Sequence, residues 1–235
     1  MTIAGERIVV ESAQTLAQSA AEFVAERINK TSDVFRMALS GGATPRGLYL
    51  QLGKMRALPW ERMEFFFGDE RFVPHDSPAS NFRMVRETLL ASGARPKALY
   101  PIPTDGTPED AAARYERLLK SVYGADVFMA ERRLFDLNLL GLGEDGHIAS
   151  LLPGQPVLQE RKAWAAAVPQ GRAEPRITLT YPALESSKVT MFLVTGASKA
   201  DAIRKARAGD TSIPAGRLRP LGSVVWFVDR AAASA

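Results

Sequence analysis

Apolar and polar positions alternate along this chain in two rhythms. Short, nearly continuous apolar runs recur at residues 7–10, 34–39, 63–67, 134–140, 164–168, 176–180, 189–194 and 224–228. They predict strands, bounded by the Gly, Ser, Asp and Pro that punctuate the chain. Between them the spacing lengthens to that of a helix. Leu16, Ala20, Phe23, Val24 and Ile28 share one face of a segment that Ser12 opens as an N-cap. A second helix begins near Pro45 and stops at Gly53, proline suiting a first turn and glycine an end. Asn81 is placed to cap a helix through Leu90, Pro108 to start one through residue 123, and Ser198 to open one to Ala208. Strand and helix alternating over the whole length predict an α/β fold with a mostly parallel sheet. No Ser/Gly-rich linker, repeat or low-complexity tract interrupts it, so residues 1–235 are expected to form one domain.

Composition narrows the field. With 235 residues, 46% of them hydrophobic, the chain is long enough to bury one sizeable core. It has no cysteine, which excludes disulfides, a thiol nucleophile, thiolate zinc sites and iron–sulfur clusters. The N-terminus lacks the apolar core of a secretory signal and no segment approaches transmembrane length, so a cytoplasmic protein without a membrane partner is expected. A formal charge of +4 and a pI near 9.5 raise the question of nucleic acid. The basic residues are spread among nearly as many acids, with no like-charge block, helix-turn-helix or aromatic-interleaved RNA-binding signature. That balance fits a small anionic substrate drawn into a basic cleft, and nucleic acid is not expected.

The most informative stretch is Leu-Gly-Leu-Gly-Glu-Asp-Gly-His-Ile-Ala-Ser-Leu-Leu-Pro, residues 140–153. It sets a glycine turn, with Asp145 and His147, directly after an apolar strand. Ligands of open α/β sheets bind beyond the carboxyl ends of strands, so these two side chains emerge where chemistry is usually done. Ser40, Gly41, Gly42, Ala43 and Thr44 form a second such turn, between a strand and a helix N-terminus. Backbone N–H groups and a helix dipole there suit a phosphate, although neither a Walker loop nor Gly-x-Gly-x-x-Gly is present. A third, Phe-Gly-Asp-Glu-Arg-Phe-Val-Pro with Ser80-Asn81 after it, places Asp69, Glu70 and Arg71 at another strand end. Asp69 and Arg71 suit sugar hydroxyls and an anion; an ion pair stiffening the loop is the plainer reading. Arg176 opens an apolar strand, and Lys199 stands in the first turn of a helix, where a cation opposes the dipole. With the glycine loop they compose a phosphate clamp.

Taken in order, SGGATP, FGDERFVP with the later SN, LGLGEDGHIASLLP, PRITLT and VTGASKA resemble the 6-phosphogluconolactonase family, part of a larger group with glucosamine-6-phosphate deaminase/isomerase. The resemblance implies a three-layer, Rossmann-like fold of the glucosamine-6-phosphate deaminase type. It implies hydrolysis of 6-phospho-D-glucono-1,5-lactone to 6-phosphogluconate, the second step of the oxidative pentose phosphate pathway, with neither metal nor organic cofactor. His147 would be its general base, with Asp145 beside it. Residues 40–44, Arg71, Arg176 and Lys199 would hold phosphate and sugar, and Asp69 is placed among the substrate contacts. Ile148, Leu152 and the Arg172-Ala173-Glu174-Pro175 approach depart from the family's more frequent residues. The deaminase relative also carries Asp-Gly-His-Ile-Ala but follows it with a proton-handling glutamate, where this chain has Ser150-Leu151-Leu152-Pro153. Deaminases also tend to have tyrosine at the Arg71 position.

On this reading His147 takes a proton from water attacking C1 and returns it to the ring oxygen. No Gly-x-Ser-x-Gly elbow points to a serine acyl-enzyme, and His75 and His147 lie on separate loops without a helical His-x-x-x-His pair for a metal. A non-enzymatic sugar-phosphate sensor is the alternative of another class. It would need a DNA-binding module, for which no length is seen before the first strand, and it would have no need of His147. A monomer or a homodimer is expected.

Overall fold

The computed structural model describes residues 3–234. Seven strands make one parallel sheet: β1 (Glu6–Val10), β2 (Phe35–Leu39), β3 (Met63–Phe67), β5 (Ala98–Leu99), β6 (Phe135–Leu140), β9 (Ser187–Val194) and β10 (Ser223–Asp229). Their order is β1-β10-β9-β6-β2-β3-β5, every neighbouring pair parallel. A separate three-stranded antiparallel sheet joins β4 (Asp69–Arg71), β8 (Arg176–Leu179) and β7 (Ala165–Val168).

Helices cover the large sheet. In α1 (Ala13–Lys30), the Ser12 hydroxyl accepts the Thr15 N–H, and Leu16, Ala20, Val24 and Ile28 are buried at the spacing of a helical face. α2 (Ala43–Lys54) packs against α1, and α4 (Pro108–Tyr123) starts at Thr107 and stops at Gly124 in the left-handed conformation. Two short helices, α3 (Asn81–Val85) and α5 (Tyr181–Glu185), and α6 (Ala200–Ala208) complete the set. Successive residues of a strand face opposite sides. Phe227 of β10 accordingly meets Phe23 of α1, at 5.2 Å between ring centroids, while Trp226 lies under Arg207 of α6 on the other face. The α/β fold with helices on both faces is the one expected. No helix among the described residues is long and apolar enough to cross a membrane.

Three expectations change. Residues 69–71 form a strand and not a loop, because β8 pairs with them from a hundred positions downstream, beyond the reach of local patterning. The cap of the helix at 81 is Ser80, whose hydroxyl accepts the Arg83 N–H at 3.1 Å; Asn81 is already helical, and beyond Val85 the backbone runs on as a π-turn to Leu90. Lys199 ends a 3₁₀ turn, Ala197–Lys199, and precedes α6 instead of lying in its first turn.

The strand order positions the site. From β2 the chain moves outward through β3 to β5, then returns to the other flank of β2 with β6 and continues through β9 to β10. The direction of travel reverses between β2 and β6, and a crevice opens at the carboxyl ends of strands where that happens. The turns after β2 and β6 are the two glycine turns marked by the sequence.

Candidate active site

A cleft of about 380 Å³ lies over this reversal. It is lined by Ser40, Gly41, Gly42, Ala43, Thr44, Asp69, Arg71, His147, Arg176 and Lys199, and Asn81, Thr195 and Ala149 add to its wall. Every expected site residue except Asp145 therefore faces one cavity.

The first wall is the turn after β2. The buried Tyr49 hydroxyl accepts the Ser40 N–H at 2.9 Å and donates to the Ser40 carbonyl at 2.7 Å, fixing the turn; burial pushes this phenol's pKa up. The glycines serve different needs. A Cβ at Gly41 would lie 2.1 Å from Asn81 Oδ1, whereas Gly42 has φ +105°, a conformation L side chains rarely adopt. Gly42 is the N-cap of α2 and offers no side chain, so the first amides of that helix, at Ala43 and Thr44, lie open at the cavity wall.

The turn after β6 carries Asp145 and His147. The Gly143 N–H donates to the His147 carbonyl at 2.9 Å and the Gly146 N–H to the Gly143 carbonyl at 3.0 Å. Ile148, Leu151 and Leu152 are buried and anchor the chain beyond it. Ala149 is the one non-glycine described with positive φ, at +47°, a strain of the kind that marks functional turns. Asp145 Oδ1 accepts the His147 N–H at 3.1 Å and lies 2.5 Å from His147 Nδ1. Asp145 thus faces the imidazole and not the cavity. Its other oxygen accepts from Arg172 Nη2 at 2.8 Å. Partial burial raises the Asp145 pKa, but the hydrogen bonds from Arg172 and His147 outweigh it and hold the carboxyl at about 2.

The third wall comes from the small sheet. Arg71 and Arg176 are direct cross-strand partners, so two like charges share one face, an unfavourable pairing by itself. Burial pushes the Arg176 pKa down and Asp69 pulls it up, their closest atoms 3.9 Å apart. Arg71 Nη1 donates to Asn81 Oδ1 and to the Ala79 carbonyl, both at 2.8 Å, yet Arg71 Nε and Arg176 Nε donate to no protein atom. Two cations at one cavity wall suit an anion. Asp69 is buried, accepting from Ser150 Oγ at 2.6 Å and from Asn81 Nδ2 at 3.3 Å. Lys199 Nζ stands 3.8 Å from Glu144 Oε1.

Glu70 belongs to the frame. It accepts the N–H groups of Arg71, Asn81 and Phe82 at 2.7–2.8 Å and the Ser80 hydroxyl at 3.1 Å, stitching β4 to α3, and burial pushes its pKa up. Sequence reasoning did not assign Asn81, Ser150, Thr195 or Arg172 to the site. Asn81, Ser150 and Thr195, whose hydroxyl lies 3.0 Å from that of Thr44, were visible only as motif neighbours, and Arg172 only as a departure from the family's more frequent residues. Among the described residues no three His, Asp or Glu side chains gather as a metal cage requires.

Comparison with known proteins agrees with this geometry. Residues 11–226 match the family model described as glucosamine-6-phosphate isomerases/6-phosphogluconolactonase. A 6-phosphogluconolactonase of Synechocystis sp. is 39% identical over 201 residues, covering 83% of this chain and 82% of its own. The chloroplastic 6-phosphogluconolactonase 3 of Arabidopsis thaliana is 31% identical over 97% of this chain and 72% of its own. Among solved structures, 6-phosphogluconolactonase from Trypanosoma cruzi superposes with a TM-score of 0.86 at 28% identity, covering 100% of this chain and 97% of that one. A monomeric glucosamine-6-phosphate deaminase shares the fold, with a TM-score of 0.80 at 24% identity over 97% of this chain and 99% of that one.

Proposed function

The chain belongs to the glucosamine-6-phosphate isomerase/6-phosphogluconolactonase family, and on that premise we propose that His147 is the general base with which it hydrolyses a phosphorylated sugar lactone. The enzyme is a 6-phosphogluconolactonase, converting 6-phospho-D-glucono-1,5-lactone to 6-phospho-D-gluconate. The observation that carries the mechanism is the His147–Asp145 contact beside a cavity lined by cations.

An ionised Asp145 accepts from Nδ1–H, which leaves Nε2 without a proton and able to accept one from water. That water attacks C1 of the lactone; the C1–ring oxygen bond breaks, and the imidazolium gives its proton to the departing ring oxygen. Assistance of this kind contributes roughly 10²–10⁴-fold. Arg71, Arg176, Lys199 and the amides of residues 43 and 44 hold the phosphate, so that binding remote from the carbonyl sets it against the base. Asp69, steadied by Ser150, takes sugar hydroxyls. Because β4 and β8 contribute arginines to a cleft built on the large sheet, the chain works as one unit. The deaminase reading has less support: residues 150–153 carry no carboxylate, and Glu70 is occupied by α3.

The test is hydrolysis of freshly generated 6-phosphogluconolactone, corrected for the spontaneous rate, by wild type and His147→Ala. The variant should fold and lose most of the catalysed rate; turnover near wild type would remove His147 from the mechanism. Glucosamine 6-phosphate run alongside should release no ammonia.

A further inference from the structure

Arg172 lies outside the cavity, on the connection between β7 and β8, and nothing in the hydrolytic step needs it. Yet its guanidinium spans the catalytic turn: Nη2 donates to Asp145 Oδ2 at 2.8 Å and lies 3.4 Å from His147 Nδ1, while Nη1 donates to the Gly171 carbonyl at 2.9 Å. The connection is packed against the body of the protein. At Gly171, φ +95°, a Cβ would meet Gln155 Nε2 at 2.9 Å and Leu152 Cδ1 at 3.1 Å.

An ion pair this open to solvent, 37% and 39% exposed, adds little to stability. What it does add is orientation. Asp145 stands between two glycines of the turn, Gly143 and Gly146, and its carboxylate is free to rotate unless both oxygens are held. The inner oxygen faces the imidazole and the outer one has Arg172 as its partner. The other charges nearby look elsewhere: Glu144 accepts from Ser198 Oγ at 2.7 Å and faces Lys199.

We propose that Arg172 is a positioning residue for the lactonase reaction, pinning the outer oxygen of Asp145 so that the inner one keeps the proton on His147 Nδ1. The inference rests on His147 being the general base. It makes the active histidine dependent on the β7–β8 hairpin, which also carries Arg176 into the cavity four residues later. A bound anion on Arg176 and the tautomer of His147 are then set by the same short segment.

The experiment compares wild type, Arg172→Gln and Arg172→Lys as purified full-length chains. The chain has two histidines, so ¹⁵N-imidazole NMR above neutral pH resolves His147 from His75 once a His147→Gln sample assigns the signals. In Arg172→Gln the Nδ1–H population of His147 should fall and kcat should drop about 3- to 30-fold, part of the roughly 10²–10⁴-fold a general base supplies. KM should move less than about twofold, and melting temperature should hardly change. Arg172→Lys, keeping the charge but losing the planar fork, should recover part of the tautomer and part of kcat. An unchanged Nδ1–H population with unchanged kcat would overturn the proposal, as would a raised KM at constant kcat, which would make Arg172 a substrate contact. Failure of the base itself reads differently: His147→Ala would then retain turnover whatever Arg172 does.

Discussion

In the proposed mechanism one carboxylate, Asp145, sets the state of a base two residues away, His147. The ordinary aspartate value of 3.8 falls to about 2 in the folded chain. An acid with a depressed folded value favours the native state above its unfolded value and loses that advantage as pH falls through the folded one. Asp145 should therefore remain ionised, and paired with His147, until pH approaches about 2, which a ¹³C-carboxyl titration measures directly. Asp145→Asn should lower kcat by a large part of the roughly 10²–10⁴-fold due to the base, because an amide can present a donor to Nδ1 and reverse the tautomer. An Asn variant with wild-type kcat would mean the pair is structural. Across the cavity the expected effects are on binding. Arg176→Ala and Lys199→Ala should each weaken the phosphorylated lactone by about 1.5–3 kcal/mol, the usual worth of a charge-assisted contact, and leave unphosphorylated δ-gluconolactone nearly untouched. Equal losses on both substrates would assign these cations to the frame.

Strand β4 and the short helix α3, joined through Glu70, explain why part of the site was legible and part was not. Turns after β2 and β6 announce themselves locally: apolar strands run into glycines, and the residues that follow are polar and chemically apt. Ser40, Gly41, Gly42, Asp145 and His147 could be read from that pattern alone. Asp69 and Arg71 stand in the sequence as substrate contacts beside the plainer ion pair; the place of Glu70 in the frame could not be read, since it depends on α3 folding back onto β4. Three adjacent charges turn out to have two fates: Asp69 and Arg71 line the cavity, while Glu70 receives backbone donors of β4 and α3. Glu70→Gln turns one acceptor oxygen into an NH₂ facing those donors, at a cost of about 1–3 kcal/mol. For a chain of this length each kcal/mol lowers Tm by roughly 2–4 °C, so calorimetry should find a loss of several degrees. An unshifted Tm would show that α3 has other means of closing its first turn.

Over the whole molecule the reversal of strand order between β2 and β6 decides where everything else is placed. It brings the turn of residues 40–44 beside the turn of His147, and the small sheet closes the third side with Arg71 and Arg176. The fold class followed from alternation of strand and helix; the order of the strands did not, because nothing local says which edge a returning strand will join. That adjacency has a meaning in time as well as in space. Met37 pairs with Leu137, and the Arg36 N–H donates to Asp136 Oδ2 across a separation of 100 residues, so the two turns meet only after a very long loop has closed. Helices α1, α2 and α4 need no such closure and should form earlier, since local contacts assemble faster than distant ones. During refolding from denaturant, far-UV ellipticity should recover ahead of lactonase activity, the lag measuring the joining of β2 to β6. Until that joining, a refolding chain should show helix without catalysis.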